Sequence, residues 1–295
     1  MEYYIQLLIN GLVVGSIYSL VALGFVIIYK ATKVVNFAQG EMVMFGAYIC
    51  FALTVQLQLP FYLSFLLTLG FSVLLGLAIE RVVLRPLIGE PIISVIMVTI
   101  GLSTVLRSVV QLFWGTQIEV FPEVLPQTPI IMAGVPVSPV YIMAFVLAGL
   151  LFGIFTLFFK YSRLGVAMRA TAFDQSAAAS MGIGIKNIFA LSWCIAAVVS
   201  SIGGVILGNI NGINSQLGHL GLKVFPAVIL GGLDSLLGAA LGGLVIGILE
   251  NVCDGAAKQL FDLNGFKDVA AFVFLVIILM IRPYGLFGTE EIERV

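Results

Sequence analysis

Long apolar runs separated by short polar segments occupy most of this 295-residue chain. At about 1.5 Å of rise per residue, a helix of roughly 17 to 25 apolar residues crosses the ~30 Å hydrocarbon core of a bilayer. The runs predict these helices: Ile5–Tyr29, Glu41–Leu57, Phe61–Ile79, Ile92–Phe113, Val140–Phe159, Ile188–Leu207 and Asp268–Ile281. The pattern therefore predicts an all-α integral membrane protein.

Two polar, glycine-marked interruptions break this pattern, one in each half of the chain. "LGGLDSLLG" (Leu230–Gly238) favours turns over helix, and it predicts a half-length helix at Leu222–Gly232 followed by a longer one at Leu236–Val252. "NFAQGEM" (Asn36–Met42) precedes the second helix. Non-helical backbone at membrane depth survives where protein or a water-filled cavity satisfies it, so both interruptions are expected to line a pathway. The residues assigned to that pathway are Asn36, Gln39, Glu41, Gly231, Gly232, Asp234 and Ser235.

The expected architecture is a bundle of about eight full transmembrane helices plus one half-length broken helix. An interruption in each half, approached from opposite faces, is also consistent with an inverted repeat. Lys and Arg gather in alternate loops, around Lys33, around Arg81 and between Lys160 and Lys186. The positive-inside bias places these loops in the cytoplasm, the N-terminus outside and the C-terminus inside. The loop at about 114–139, which lacks Lys and Arg, is expected to be extracytoplasmic.

Composition supports the membrane prediction and excludes other classes. The chain is 61% hydrophobic and 10% charged, against about 25% charged in an ordinary soluble domain. A net charge of -1 without a basic tail gives no reason to expect a nucleic-acid partner. Three isolated cysteines and a single histidine predict no metal or redox site and argue against a membrane-embedded enzyme.

A few polar residues stand alone in apolar surroundings. Glu41 either lines the route or is simply solvated near the cytoplasmic interface. Arg107 is expected to anchor its helix, by snorkelling outward or by pairing with another helix. His219 is expected to be a solvated or docking-surface residue of an extracytoplasmic loop. Gly11 and Gly15 have small-xxx-small spacing, which allows close packing within the bundle or against a second subunit.

One cytoplasmic segment, "SRLGVAMRATAFDQSAAASMGIGIKN" (Ser162–Asn187), predicts a helix of two to three turns at about 171–182. Thr171 and Asp174 form a capping-box pattern, or Asp174 alone is the N-cap, and Gly182 occupies the expected C′ position. The helix is too short and polar to span, and it lacks the wide apolar face of an interfacial helix, so docking on another protein is favoured. The predicted contact residues are Arg163, Arg169, Thr171, Asp174, Ser176, Ala177, Ala178, Met181 and Gly182.

Several motifs in order resemble the membrane permease subunits of bacterial ABC importers for branched-chain amino acids and related solutes. They are "GLVVGSIYSLVALGFVIIY", "NFAQGEMVMFGAY", "SRLGVAMRATAFDQSAAASMGI", "AVILGGLDSLLGAALGGLVIGILE" and "RPYGLFG". The resemblance implies one permease domain over residues 1–295 with the ABC importer permease fold. It also implies a coupling helix, in which Ser176–Gly182 is similar to the pattern E-A-A-x-x-x-G with Ser176 where Glu is expected.

The same resemblance implies partners and a location. The partners are a second permease subunit, different but related, two ABC ATPase subunits and an extracytoplasmic solute-binding protein, all at the bacterial inner-membrane lipid bilayer. The chain has no G-x-x-x-x-G-K-[ST] phosphate loop, so ATP and Mg²⁺ are expected on the ATPases and no cofactor on this chain. The solute is most often a branched-chain amino acid, but urea, amides and other amino acids are carried by similar chains. A passive channel for a small polar solute is the alternative, because polar helix breaks also build pores.

Overall fold

The computed structural model describes residues 2–122, 128, 130–132, 135–262 and 265–288. Within that part of the chain the fold is almost entirely helical. The α-helices are α1 Glu2–Thr32, α2 Gln39–Phe51, α3 Phe61–Ile79, α4 Ile92–Trp114, α5 Pro139–Tyr161, α6 Arg163–Phe173, α7 Gln175–Ser180, α8 Ile185–Asn211, α9 Leu220–Gly231, α10 Leu236–Phe261 and α11 Phe266–Ile281. Two π-helical segments, Ala52–Gln56 and Glu80–Leu84, extend α2 and α3.

Most predicted boundaries are confirmed within a few residues, including the break between α9 and α10. Two predictions need correction. First, the loop at 114–139 contains an antiparallel hairpin of β1 (Ile130–Met132) and β2 (Val135–Val137), which an all-α prediction omits. Its strands are rich in β-branched residues, which favour extended backbone. Second, α10 continues nine residues past the predicted end at Val252, to Phe261.

Six of the described helical segments are long and apolar enough to cross a membrane. They begin at Tyr3, Phe61, Ile92, Pro139, Ile185 and Leu236. The other apolar helices are shorter, since α2 has 13 residues, α9 has 12 and α11 has 16. The expected count of about eight full spans is therefore not confirmed, and neither is the inverted repeat.

The chain forms two compact units. The first comprises residues 1–26, 127–156 and 223–295, and the second comprises residues 27–126 and 157–222. In the first unit α1 packs on α10 with almost no side chain between them. A Cβ added at Gly11 would lie 2.7 Å from Ile248 Cα, and one at Gly15 would lie 2.7 Å from Leu244 Cα. This glycine pair therefore packs two helices of the same unit together.

In the second unit α2 and α3 pack on α8, the central helix of that unit. Small polar side chains occupy the contact: Ser72 Oγ of α3 donates to Ser201 Oγ of α8 at 2.6 Å, and both residues are buried. A Cβ at Gly76 would lie 2.7 Å from the Trp193 carbonyl oxygen, so this glycine also sets how closely α3 approaches.

Candidate functional site

The first interruption lies between α1 and α2 in the second unit. Residues 33–38 are non-helical, and Asn36 is fully buried. The amide of Ala38 donates to Asn36 Oδ1 at 2.9 Å and the amide of Phe37 to Thr99 Oγ1 at 3.4 Å. Side-chain oxygens thus accept hydrogen bonds from amides that have no helical carbonyl as a partner. Buried backbone amides need such acceptors because water cannot reach them. The break predicted from "NFAQGEM" is confirmed, and Asn36 has a structural role in it.

The start of α2 lies inside the bundle and not at its edge. Gln39 Nε2 donates to Ser200 Oγ at 2.6 Å. Ser200 is 15 residues beyond Ile185, the first residue of α8, which corresponds to about 22 Å along the helix axis. Asn36 Nδ2 in turn donates to Gln39 Oε1 at 3.2 Å. A chain of buried amides and hydroxyls therefore joins the interruption to the middle of α8.

Glu41, Arg107 and His219 form a polar cluster on the other side of the same break. Glu41 is 1% exposed, and its Oε1 accepts from Arg107 Nη2 at 2.5 Å. Arg107 Nη1 lies 3.0 Å from His219 Nε2. Since Arg107 is seven residues before Trp114, the last residue of α4, the cluster sits about 10 Å from that end of the helix.

This cluster decides two sequence-based alternatives and adds a contact for His219. Glu41 is buried in an ion pair, so simple solvation near an interface is wrong. Pairing of Arg107 with another helix is confirmed. His219 is half-buried, and its contact with the guanidinium is one that the expected solvated or docking-surface position did not include. The sequence carries a signal for this cluster, because ionisable residues inside an apolar bundle need partners.

Glycines let the backbone segments that carry this cluster touch. A Cβ at Gly221 would lie 2.7 Å from the Gly40 amide nitrogen, so the start of α2 and the start of α9 meet backbone to backbone. The preceding 3₁₀ turn, Ser215–His219, is capped by Asn214, whose Oδ1 accepts from the Gln216 amide at 2.9 Å. Arg107 Nε is buried without a hydrogen-bond partner among the described residues.

The second interruption, between α9 and α10, lies in the first unit. Gly232 ends α9 with φ +101°, a left-handed conformation that glycine adopts without strain. Ser235 then caps α10, because its Oγ accepts from the Gly238 amide at 3.0 Å. The four predicted pathway residues here, Gly231, Gly232, Asp234 and Ser235, thus form one turn.

The C-terminal motif "RPYGLFG" closes the end of α9. The amide of Leu286 donates to the Leu230 carbonyl at 2.8 Å, and the amide of Phe287 donates to the Gly231 carbonyl at 3.1 Å. These are carbonyls that a helix end leaves without intrahelical partners. Gly285, at φ +78°, turns the motif toward this end. Sequence reasoning quoted the motif but missed this contact, since the two segments are more than 50 residues apart in the chain.

The predicted cytoplasmic helix is present as two short helices joined at Asp174. Ser162 caps α6 by accepting from the Gly165 amide at 2.8 Å, and Asp174 caps α7 by accepting from the Ala177 amide at 2.9 Å. Thr171 Oγ1 instead donates to the Ala167 carbonyl within α6, so the capping-box alternative is wrong. With six residues, α7 is also shorter than the two to three turns predicted. Gly182, at φ +82°, ends the element as predicted.

Exposure separates the predicted contact residues into two groups. Thr171 and Ala178 are buried, although Ala178 also lines the groove described below. The exposed ones are Arg163, Arg169, Asp174, Ser176, Ala177, Met181 and Gly182. Phe173, which the sequence analysis left out, is 94% exposed, and Met181 is 85% exposed. Both border a groove of about 430 Å³ that Arg169 and Ala177 also line. We call this surface the α6–α7 groove.

Comparison with known proteins identifies the family to which the chain is similar. Residues 7–282 match the family model described as "Branched-chain amino acid transport system / permease component". The chain is 38% identical to the high-affinity branched-chain amino acid transport system permease protein BraD of Pseudomonas aeruginosa, over 99% of this chain and 98% of that protein. It is 31% identical to the corresponding protein LivH of Escherichia coli, with the same coverage.

Among solved structures, PsaBC from Streptococcus pneumoniae in complex with Fab has a similar fold. The TM-score is 0.51 at 13% identity, over 95% of this chain and 92% of that one. At this identity the likeness concerns the fold alone. The match of the family model to nearly the whole chain, together with relatives of 38% and 31% identity, is decisive. The protein belongs to the family of branched-chain amino acid transport permeases, the multi-pass inner-membrane components of ABC transporters.

Proposed function

We propose that this chain is the translocation subunit of an ATP-driven importer for branched-chain amino acids or related small solutes. The names of its relatives support the solute class. The chain pairs with a second, related permease, two ABC ATPases that bind ATP and Mg²⁺, and an extracytoplasmic solute-binding protein. Its own residues hold no cofactor. The N-terminus is extracytoplasmic and the C-terminus cytoplasmic, following the distribution of Lys and Arg.

The α6–α7 groove carries the proposal. Two large apolar side chains, Phe173 and Met181, stand almost fully exposed beside a capped helix in a weakly basic segment of the chain. Burying one such side chain in a partner is worth about 1.5 to 3 kcal/mol, so this surface suits a protein interface better than water. A helix capped at both ends transmits motion as a rigid lever. The ATPase subunits dock here, and their closure moves α7.

In this proposal each interruption contributes residues to the translocation route. ATP binding draws the ATPases together, α7 follows, and the bundle opens toward the solute-binding protein. Asn36, Gln39 and Glu41 line the pathway in one unit, and Gly231, Gly232, Asp234 and Ser235 line it in the other. Short helices that end inside the bundle leave polar ends for a solute, as in other transporters with broken helices.

The test changes only the exposed apolar side chains of the groove. The double variant Phe173→Ser/Met181→Ser should lose copurification of the ATPases and solute-stimulated ATP hydrolysis in proteoliposomes, while membrane insertion is unchanged. Val120→Ser is the matched control, because Val120 is also highly exposed but lies on the loop after α4. Normal stimulated hydrolysis in the double variant would refute docking at the groove. Solute uptake that persists without ATP would favour the passive channel.

A further inference from the structure

A cavity of about 200 Å³ lies in the second unit, where Lys33 and Val34 at the start of the first interruption form part of its lining. Its walls come from four places: the segment after α1, the turn between α3 and α4 with the start of α4, the first residue of α7, and α8. The residues that matter for its chemistry are Lys33, Glu90, Gln175, Leu87, Ile88 and Trp193. The segment after α1, the turn between α3 and α4, and α7 belong to the loops that the positive-inside bias predicts to be cytoplasmic.

The lining combines three chemical properties. Lys33, whose ammonium lies 5.4 Å from the centre of the Tyr29 ring, supplies a cation, Glu90 a carboxylate and Gln175 an amide, and all three side chains are at least partly exposed. Trp193 forms part of a buried apolar wall, and Leu87 and Ile88 add aliphatic surface. A small ligand that carries both charges and a branched aliphatic group matches each of these features. The volume is below the ~300 to 1,000 Å³ of pockets for drug-sized ligands, so a nucleotide is too large and a single amino acid is of suitable size.

The backbone at Lys33 is a second, separate observation. This lysine has φ +56°, a left-handed conformation at the end of α1 that glycine adopts at lower energy. Residues other than glycine in this region are costly and concentrate at ligand clamps and switches. The ammonium group is thus present at this position at an energetic cost, although a glycine would terminate α1 more easily.

We propose that this cavity binds a free aliphatic α-amino acid from the cytoplasm and thereby slows the transporter as its product accumulates. The inference rests on the proposed importer function. Because Gln175 begins α7 and the other walls belong to the membrane bundle, a bound ligand bridges the lever to the bundle. Conformations that move α7 away lose those contacts, so the ligand favours the arrangement seen here. The ligand's carboxylate pairs with Lys33 and its ammonium with Glu90.

The experiment uses the complete complex in proteoliposomes, with the ATPase side accessible and L-leucine added on that side only. L-leucine should lower solute-stimulated ATP hydrolysis several-fold. The acid 4-methylpentanoate, which lacks the ammonium, and isoamylamine, which lacks the carboxylate, should each need at least about tenfold higher concentration. Equal potency of the three compounds would overturn recognition of both charges.

Two variants locate the effect. Lys33→Gly removes the ammonium and relieves the backbone, and Glu90→Gln removes the carboxylate; each should raise the inhibitory concentration of L-leucine about tenfold or more, with uninhibited hydrolysis unchanged. Arg81→Gln is the control, since Arg81 is exposed on the π-helical segment that extends α3 and does not line the cavity. Unaltered inhibition in both variants would place L-leucine in the translocation route and refute the proposal. Failure of ATP-driven uptake in the wild type would refute the importer function instead.

Discussion

Replacing Arg107 by methionine isolates the energetic role of the buried ion pair. The substitution keeps an unbranched apolar side chain but leaves Glu41, 1% exposed, without its hydrogen-bond donor. Breaking a buried pair by removing one partner costs about 3 to 5 kcal/mol. We expect about 3 kcal/mol, the lower end of that range, because the Arg107 side chain is 27% exposed and water reaches the site. The free energy of unfolding is measured by titrating detergent micelles with SDS while tryptophan fluorescence is followed.

The double variant Glu41→Met/Arg107→Met provides the control within the same site. It removes both charges, so it should be more stable than Arg107→Met alone although it carries one more substitution. Glu41→Gln retains an acceptor for the guanidinium and should cost only about 1 kcal/mol. Two results would refute the reasoning. One is a free energy of unfolding for Arg107→Met within about 0.5 kcal/mol of wild type. The other is a double variant whose loss of stability equals the sum of the losses in Arg107→Met and Glu41→Met.

Three further predictions concern packing and helix ends. Gly15→Leu should prevent folding, because even a Cβ at this position would meet the α10 backbone. Gly101→Leu is the control, since the space around Gly101 is open. The measurement is the yield of monodisperse protein in size-exclusion chromatography, which should fall for Gly15→Leu and stay unchanged for Gly101→Leu. Asp174→Ala should destabilise α7 by about 1 kcal/mol and speed hydrogen exchange of its amides, with Asp174→Asn restoring protection; equal exchange would contradict the cap. Leu286→Pro removes the amide that bonds α9 and should lower stability by about 1 to 3 kcal/mol, while Tyr284→Ala, which keeps every backbone donor, should cost less.

The sequence alone determined which segments are helices and where the chain breaks. Helical spans are visible because a bilayer demands about 20 apolar residues in a row, a pattern that needs no knowledge of neighbours. The caps at Asp174 and Gly182 and the break at Gly232 were likewise predictable, since they depend on residues within one turn of each other. Sequence motifs also carried the family resemblance, which the comparisons confirmed.

Only the tertiary structure decided which polar residues meet. Glu41, Arg107 and His219 are far apart in the chain, and each was individually compatible with an exposed position until folding brought them within hydrogen-bond distance. The same holds for "RPYGLFG" at the end of α9, and for Thr171 and Ala178, which the packing of α6 and α7 turns inward. The physical reason is one of range: helix formation and capping depend on neighbouring residues, whereas the pairing of buried charges and the satisfaction of helix ends depend on long-range packing.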